Sequence, residues 1–250
     1  NNNTGSAQTI QQNSIGKTLA ITNSTFTGNT NANGALGVSF ATATLLNCTF
    51  SGNTGLRTCL VDNGGVLNLK NTIVAGSGTQ LGAFSGGTIT SKGNNLISDN
   101  SLPLPLASDL VNTSPLLGSL GSYGGPTQTI RPLPGSPAID AGDDCVADVA
   151  HCGDTSFPQL TTDQRGMGFN RKVGTHVDIG AVEVSYALAV SGGSGQSAAV
   201  NTAFANPLLV TLTESGAAAS GVPLAFTAQP AGNGASVTLG SPNPATTNSN

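Results

Sequence analysis

The sequence predicts an all-β chain built on a parallel β-solenoid with one coil per 24 residues. Three observations predict it. ITNSTFTGN at 21–29 returns as LLNCTFSGN at 45–53, and the second Asn of NLKNTIVAGS falls at Asn71. Asn23, Asn47, Asn71 and Asn95 therefore share one period of 24, as do Ile21, Leu45 and Leu69, Phe26, Phe50 and Val74, and Gly28, Gly52 and Gly76. Self-similarity at such a period marks a repeat architecture. The runs inside each period, KTLAIT, STFTG, ATLLN and VLNLK, are short, β-type and bounded by Gly-, Asn- and Thr-rich turns. Helical spacing is missing throughout.

Residues 1–100 are the coils. Strands of successive coils stack in parallel about 4.8 Å apart, so equivalent residues lie above one another. Phe26, Phe50 and Val74 are expected to form one apolar stack, and Ile21, Leu45 and Leu69 another. Asn23, Asn47, Asn71 and Asn95 are expected to form a ladder at a bend. Asn tolerates the left-handed conformation a bend requires, and each side-chain amide is both donor and acceptor toward the next. Cys48 takes the slot of Ser24 and Thr72, and Cys59 that of Ala35 and Ala83, so both read as small core residues.

Residues 101–184 hold nine of the twelve carboxylates, counted from Asp109 to Glu183, and most of the Pro. This composition suits a cover over an open solenoid end, where bare strand edges invite aggregation. Pro103, Pro105, Pro115, Pro126, Pro132, Pro134 and Pro137 cannot donate to a ladder. Asp140, Asp163, Arg165, Arg171, Asp178 and Glu183 are expected to pair in a network that pins the cover, since buried charges need partners.

Residues 185–250 carry one charged side chain, Glu214. YALAVSG, NPLLVTLTE and VPLAFTAQP read as strands between Gly/Ala/Ser turns.

Composition narrows the function classes. Charged residues make up 8% of the 250, against a usual ~25%. The formal net charge of −4 argues against nucleic acid, whose phosphates call for Lys and Arg. No apolar run reaches the ~20 residues of a membrane helix, so no membrane insertion is expected in this span. No secretory signal is visible at the start. The chain begins at Asn1 and ends on NPATTNSN, which reads as part of a longer protein.

Cys145 and Cys152 lie seven apart in DDCVADVAHCGD. His151 is adjacent, but the spacing fits no usual zinc pattern. A loop-closing disulfide is the expectation, and it implies an extracytoplasmic setting. Asp143, Asp144, Asp148 and Asp154 crowd the same loop, with Asp140 close by. They are calcium candidates, since calcium takes six to eight oxygens, against the alternative of a solvated acidic loop. No other cofactor is expected.

A catalytic reading finds few parts in the coils. Residues 1–100 hold only Asp62 and Asp99 as carboxylates, and the 24-residue period sets Asp62 against Val38 and Gly86. Neither the paired carboxylates of a hydrolase nor the carboxylate cluster and base of a lyase are assembled. GxSxG, Walker and HExxH motifs are missing, and GSGQS at 193–197 reads as a turn.

Three resemblances add to this. NSTFTGNTNANGA and NCTFSGNT resemble repeats of right-handed parallel β-helix proteins of the bacterial surface, including polymorphic outer-membrane-protein repeats. Asp109-Leu110, Pro115 to Leu120, Gly124 to Thr129, Leu133 to Gly142, Asp163 to Gly166 and Asp178 to Glu183 resemble, in order, the C-terminal module of secreted β-helix proteins of the choice-of-anchor Q kind. That likeness covers about eighty residues and implies the capped end of a parallel β-helix with some means of surface attachment. Glu214, Gly216, Gly221, Val222, Pro223 and Phe226 resemble the first half of a bacterial immunoglobulin-like domain of the invasin/intimin kind, with Glu214 where Asp is usual.

The expectation is a structural or adhesive segment of a secreted or surface-displayed bacterial protein, without catalysis in this span. Its partners would be glycans or neighbouring cell-surface proteins. The alternative is the non-catalytic end of a carbohydrate-active β-helix enzyme, a polysaccharide lyase or hydrolase, whose active site lies upstream.

Overall fold

A computed structural model describes residues 9–30, 34–148, 157–229 and 237–248. The chain forms two compact units, Asn1–Val184 and Ser185–Asn250.

The first unit is a β-solenoid of about four turns. Its strands are β1 (Ile10–Gln12), β2 (Thr18–Thr22), β3 (Thr25–Thr27), β4 (Leu36–Ser39), β5 (Thr42–Leu46), β6 (Thr49–Asn53), β7 (Arg57–Asp62), β8 (Val66–Lys70), β9 (Ile73–Gly76), β10 (Thr79–Ala83), β11 (Thr88–Ser91), β12 (Leu96–Ile97) and β13 (Leu110–Val111). They stack into three parallel sheets: β1-β4-β7-β10, β2-β5-β8-β11 and β3-β6-β9-β12-β13. We call these the first, second and third sheets.

The expected apolar stacks are present. Phe26 pairs with Phe50, Phe50 with Val74, Val74 with Ile97 and Ile97 with Val111. The Phe26 and Phe50 rings stack with centroids 4.5 Å apart and planes 9° from parallel. Ile21, Leu45 and Leu69 also lie in register. Leu19, Ala43, Leu67 and Ile89 fill the neighbouring row. Cys48 is fully buried, and its N–H donates to Thr72 Oγ1 at 3.4 Å, one period on.

The period shortens where a turn loses a residue. In the first sheet Leu36 pairs with Cys59 and Cys59 with Leu81, steps of 59 − 36 = 23 and 81 − 59 = 22. Cys59 therefore lies in a row of leucines, not with Ala35 and Ala83. Asp62 faces Ser39 instead of Val38. A bulge in β6 between Phe50 and Asn53 sets Gly76 against Asn53, so Gly28, Gly52 and Gly76 do not form one row.

Residues beyond β12 do two things. The stretch 99–113 closes the last coil. Asp99 Oδ2 and Ser101 Oγ accept the N–H groups of Gln80 and Leu81 on β10, both at 2.9 Å. β13 pairs with β12, and Leu102 is buried in the core. The rest of the module runs along the flank of the coils. Ala138 and Ile179 bury against Ile73 and Leu96, and Val146 and Val177 bury against Leu46. The predicted cap is thus also a lateral brace.

In the second unit β14 (Tyr186–Gly192) and β15 (Leu209–Glu214) pair antiparallel, with β16 (Ala217–Ala218) added to β15. β17 (Pro223–Leu224) and β18 (Ala245–Thr246) form a separate antiparallel pair. The predicted third strand is thus reduced to Pro223–Leu224. An open cleft of about 740 Å³ has Leu209, Leu212, Leu224, Phe226 and Leu239 in its lining.

Phe50 is fully buried in the stacked row. Phe50→Ala should cost about 3–5 kcal/mol in a denaturant titration, the range for a buried aromatic truncated in a core. A loss under about 1 kcal/mol would place the ring outside the core.

Candidate functional site

The site with the most chemistry is the seam between the coils and the C-terminal module. It starts from the corner between the second and third sheets. Asn23, Asn47, Asn71 and Asn94 hold that corner with φ of +46°, +48°, +46° and +56°. The fourth corner residue is Asn94, not Asn95, because the third sheet steps by 23 from Ile73 to Leu96. Asn95 lies one position further on and is fully buried. Its Oδ1 accepts the Thr72 N–H at 3.1 Å, and its Nδ2 donates to Leu69 O at 3.0 Å.

The corner side chains do not bond one another as a ladder. They bond the module instead. Asn23 Nδ2 donates to Thr162 O at 2.8 Å. Asn71 Oδ1 accepts the Asp143 N–H at 2.9 Å, and its Nδ2 donates to Asp143 O at 3.2 Å. Asn94 Nδ2 donates to Ala141 O at 3.0 Å. Asn47 is fully buried, and its amide has no hydrogen-bond partner among the described residues. A direct Asn–Asn bond does occur elsewhere, from Asn29 Nδ2 to Asn53 Oδ1 at 2.7 Å. A backbone carbonyl held close to the corner outcompetes a neighbouring amide about 4.8 Å away.

Above this row, two buried arginines tie the module together. Arg171 is 1% exposed, and its Nη2 donates to Glu183 Oε2 at 2.8 Å and to Asp178 O at 3.0 Å. Its Nη1 donates to Gly180 O at 3.0 Å. Glu183 Oε2 also accepts the Asp178 N–H at 3.0 Å. Asp178 accepts the N–H groups of Asp140 and Val184 at 2.8 and 2.7 Å. Arg165 donates to Asp163 Oδ2 from Nε at 3.0 Å and from Nη2 at 2.8 Å, and Nη2 also reaches Glu183 O at 2.5 Å. Its guanidinium lies 4.1 Å over the Phe169 ring. Asp163, Arg165, Arg171, Asp178 and Glu183 are thus brought together, with Asp140 joined through its backbone.

The same loops grip the coils. Gly180 N–H donates to Asn71 O at 2.8 Å, and Ala181 N–H donates to Thr49 Oγ1 at 3.0 Å. Thr25 Oγ1 bonds Gln164 Oε1 at 2.5 Å. Gly180 has φ +107°, and a Cβ there would meet Thr49 Oγ1 at 2.8 Å and Ile73 Cδ1 at 2.9 Å. Only glycine allows this approach.

Burial pushes Glu183 above the ordinary carboxylate range, with Arg171 pulling it down and Asp178 pushing it further up. Burial raises Asp178 in the same way, against the N–H groups of Asp140 and Val184.

The acidic loop is divided between different cations. Asp143 Oδ2 pairs with Lys70, whose side chain is 5% exposed and also donates to Lys92 O at 2.8 Å. Asp143 Oδ1 caps the 3₁₀ turn Asp144–Val146 by accepting the Cys145 N–H at 3.0 Å. Asp144 Oδ2 accepts from Lys172 at 2.5 Å and lies 3.1 Å from His176 Nδ1, while Oδ1 accepts the Val177 N–H at 2.8 Å. Burial works against charge on Asp144, but Lys172, Val177 and His176 outweigh it and hold its pKa below the ordinary value. Asp143 and Asp144 therefore turn to different cations, and no group of three metal-ligating side chains is assembled among the described residues. Asp148 is described, whereas Asp154, His151 and Cys152 lie outside the described residues, and so does the Cys145–Cys152 pairing.

Sequence reasoning passed over Lys70, Thr49 and Asn94. Lys70 ends an ordinary β-run, and nothing local announces Asp143, 73 positions later. Asn94 stands beside Asn95, and a strict period picks the wrong one.

No protein-family model matches the chain, and no curated protein or solved structure matches it.

Arg171→Met should cost about 3–5 kcal/mol above pH 8, where it leaves Glu183 as an uncompensated buried charge. The loss should be larger at pH 9 than at pH 6. Glu183 titrates at about 8 in the folded chain against the ordinary 4.5, and removing Arg171 moves it higher still. Both folded chains hold that proton at pH 6, but above about pH 8 only the variant still has to, so its stability goes on falling where that of the parent levels off. Urea titrations of both chains at the two pH values check the sign. An equal loss at both would mean that Glu183 is not the group left exposed to this imbalance.

Proposed function

We propose that this chain is a structural and adhesive segment of a secreted or surface-displayed bacterial β-helix protein, with no catalysis in this span. One observation carries the reading: the charged groups of the module are spent on bracing the coils. Arg165, Arg171, Asp163, Asp178 and Glu183 bond one another and the backbone of the same loops. Those loops in turn hold Asn23, Thr49, Asn71 and Asn94. A stack of coils locked along one flank transmits load and presents its remaining faces to partners. The chain is rich in neutral polar side chains, which suit weak, repeated contacts with glycans or neighbouring cell-surface proteins. The acidic net charge disfavours nucleic acid. No helix among the described residues is long and apolar enough to cross a membrane.

The likeness to choice-of-anchor Q modules supports a bacterial surface setting, and the likeness to invasin-type immunoglobulin domains supports an extended surface chain. The Cys145–Cys152 disulfide belongs to the same proposal. Cys48 and Cys59 are buried, and burial pushes the Cys48 thiol up to about 12, so neither should label in the native chain. In denaturant without reductant, two of the four cysteines should label, and all four after reduction. Four labelled without reductant would remove the disulfide.

The function is tested by incubating the chain with acidic and neutral polysaccharides, with and without calcium. The expected result is retention without new reducing ends or unsaturated products. Product release would overturn the non-catalytic reading and point to a site in this span.

A further inference from the structure

A second constellation lies on the first sheet, away from the seam. Arg57 opens β7 and reaches across to the end of β10, where its guanidinium carbon lies over the ring of Phe84, 4.3 Å from the centroid. Gly82 makes this possible, since a Cβ there would meet Arg57 Cδ at 2.1 Å and Nε at 2.3 Å. The guanidinium has no hydrogen-bond or ion-pair partner among the described residues. Its planar fork is held by the ring contact, unlike Arg165 and Arg171, whose N–H groups are bonded within the module.

The neighbours fit the same purpose. Sheet register sets Ser39 against Asp62, and Phe84, the residue after Ala83, falls level with Asp62. Ser39 Oγ donates to Asp62 Oδ1, which fixes that carboxylate in place. Phe84 is 44% exposed, and Phe40, at the end of β4, is 49% exposed with φ +56°. The two rings belong to coils two steps apart, roughly 9–10 Å along the axis. Aromatics are only 4% and charged residues only 8% of the chain, so a flank holding two exposed rings, a free guanidinium and an oriented carboxylate stands apart from its surface.

We infer that this flank is a glycan subsite that takes a pyranose ring bearing a carboxylate. The Arg57 fork donates two parallel N–H···O bonds to the carboxylate. Asp62 accepts ring hydroxyls, and Phe40 and Phe84 offer flat apolar faces to the C–H faces of the sugars. The net charge of −4 disfavours long polyanionic tracts, so the fit is to one acidic sugar at one position. A glycan suits this flank better than a peptide. β7 is hydrogen-bonded on both sides, and at the β10 edge the N–H groups of Gln80 and Leu81 are taken by Asp99 and Ser101, which obstructs peptide pairing beside Arg57. This inference rests on the adhesive reading above.

The test uses the full chain with immobilised uronate oligosaccharides, their carboxyl-reduced counterparts, and an Asp/Glu-rich peptide. The acidic oligosaccharide should bind about tenfold to a hundredfold more tightly than the reduced one, the scale of a charge-assisted hydrogen-bond pair. Arg57→Gln should abolish that preference, and Phe84→Ala should weaken binding of both sugars. Phe84 is exposed and Arg57 half-buried, and unchanged melting curves for the two variants would tie the losses to contact. Equal binding of acidic and reduced sugars, an unchanged preference in Arg57→Gln, or stronger retention of the peptide would each overturn the subsite. Release of sugar fragments would overturn the non-catalytic reading instead, whatever Arg57→Gln does to binding, so the two failures are separable.

Discussion

The left-handed corner between the second and third sheets is the constraint on which the rest depends. Parallel coils can stack only if every coil turns at the same place, and here that turn is held by Asn23, Asn47, Asn71 and Asn94 at φ of +46° to +56°. A side chain larger than Asn would meet more strain in that conformation, and glycine would give up the amide. The amide matters because it is what the module grips. The residue type that lets the coils turn is also the one that fastens their brace.

Once the corner is fixed, the packing follows. The row from Phe26 to Val111 runs through the core of the third sheet, and the rows of leucines run through the first and second. The other side of the third sheet would expose Ile73 and Leu96, and the module covers them with Ala138 and Ile179. Covering an apolar face with loops is costly unless loop polar groups find partners. That is the task of Arg165 and Arg171. Each guanidinium satisfies backbone carbonyls that no sheet would satisfy, while Asp163, Asp178 and Glu183 do the same for backbone N–H groups. The buried charges substitute for secondary structure in a Pro-rich segment that forms little beyond β13 and one 3₁₀ turn.

This division explains what could be read in advance. The 24-residue period and the rows led by Ile21 and Phe26 were legible because stacking repeats the same environment, so the same residue types recur. The fourth coil was not legible to the residue. Its turns lose one or two positions, and identity at Asn95 is a poorer guide than the register that places Asn94 at the corner. The charged residues of the module were recognisable as a set that must be paired. Their partners were not, because Arg171 meets Glu183 and Lys70 meets Asp143 only after the chain has folded back along its own flank. The partners of the acidic loop were hidden for the same reason. Asp143 and Asp144 are adjacent in sequence, but they face lysines on opposite sides of the seam, one on β8 and one in the module.

Scarcity of charge sharpens what each charged side chain means. A surface with many lysines and glutamates hides a functional one among solvated neighbours. Here there are eight basic residues in 250, and several are committed to the seam. Lys70, Arg165, Arg171 and Lys172 each have a carboxylate within the module. Arg57 is held differently, by a ring and a glycine, and its donors have no partner among the described residues. The fold can brace itself without that arrangement, since none of the seam contacts passes through β7 or β10. A guanidinium held by packing and left without a bonded partner among the described residues suits a group outside the chain, and its planar fork favours a carboxylate.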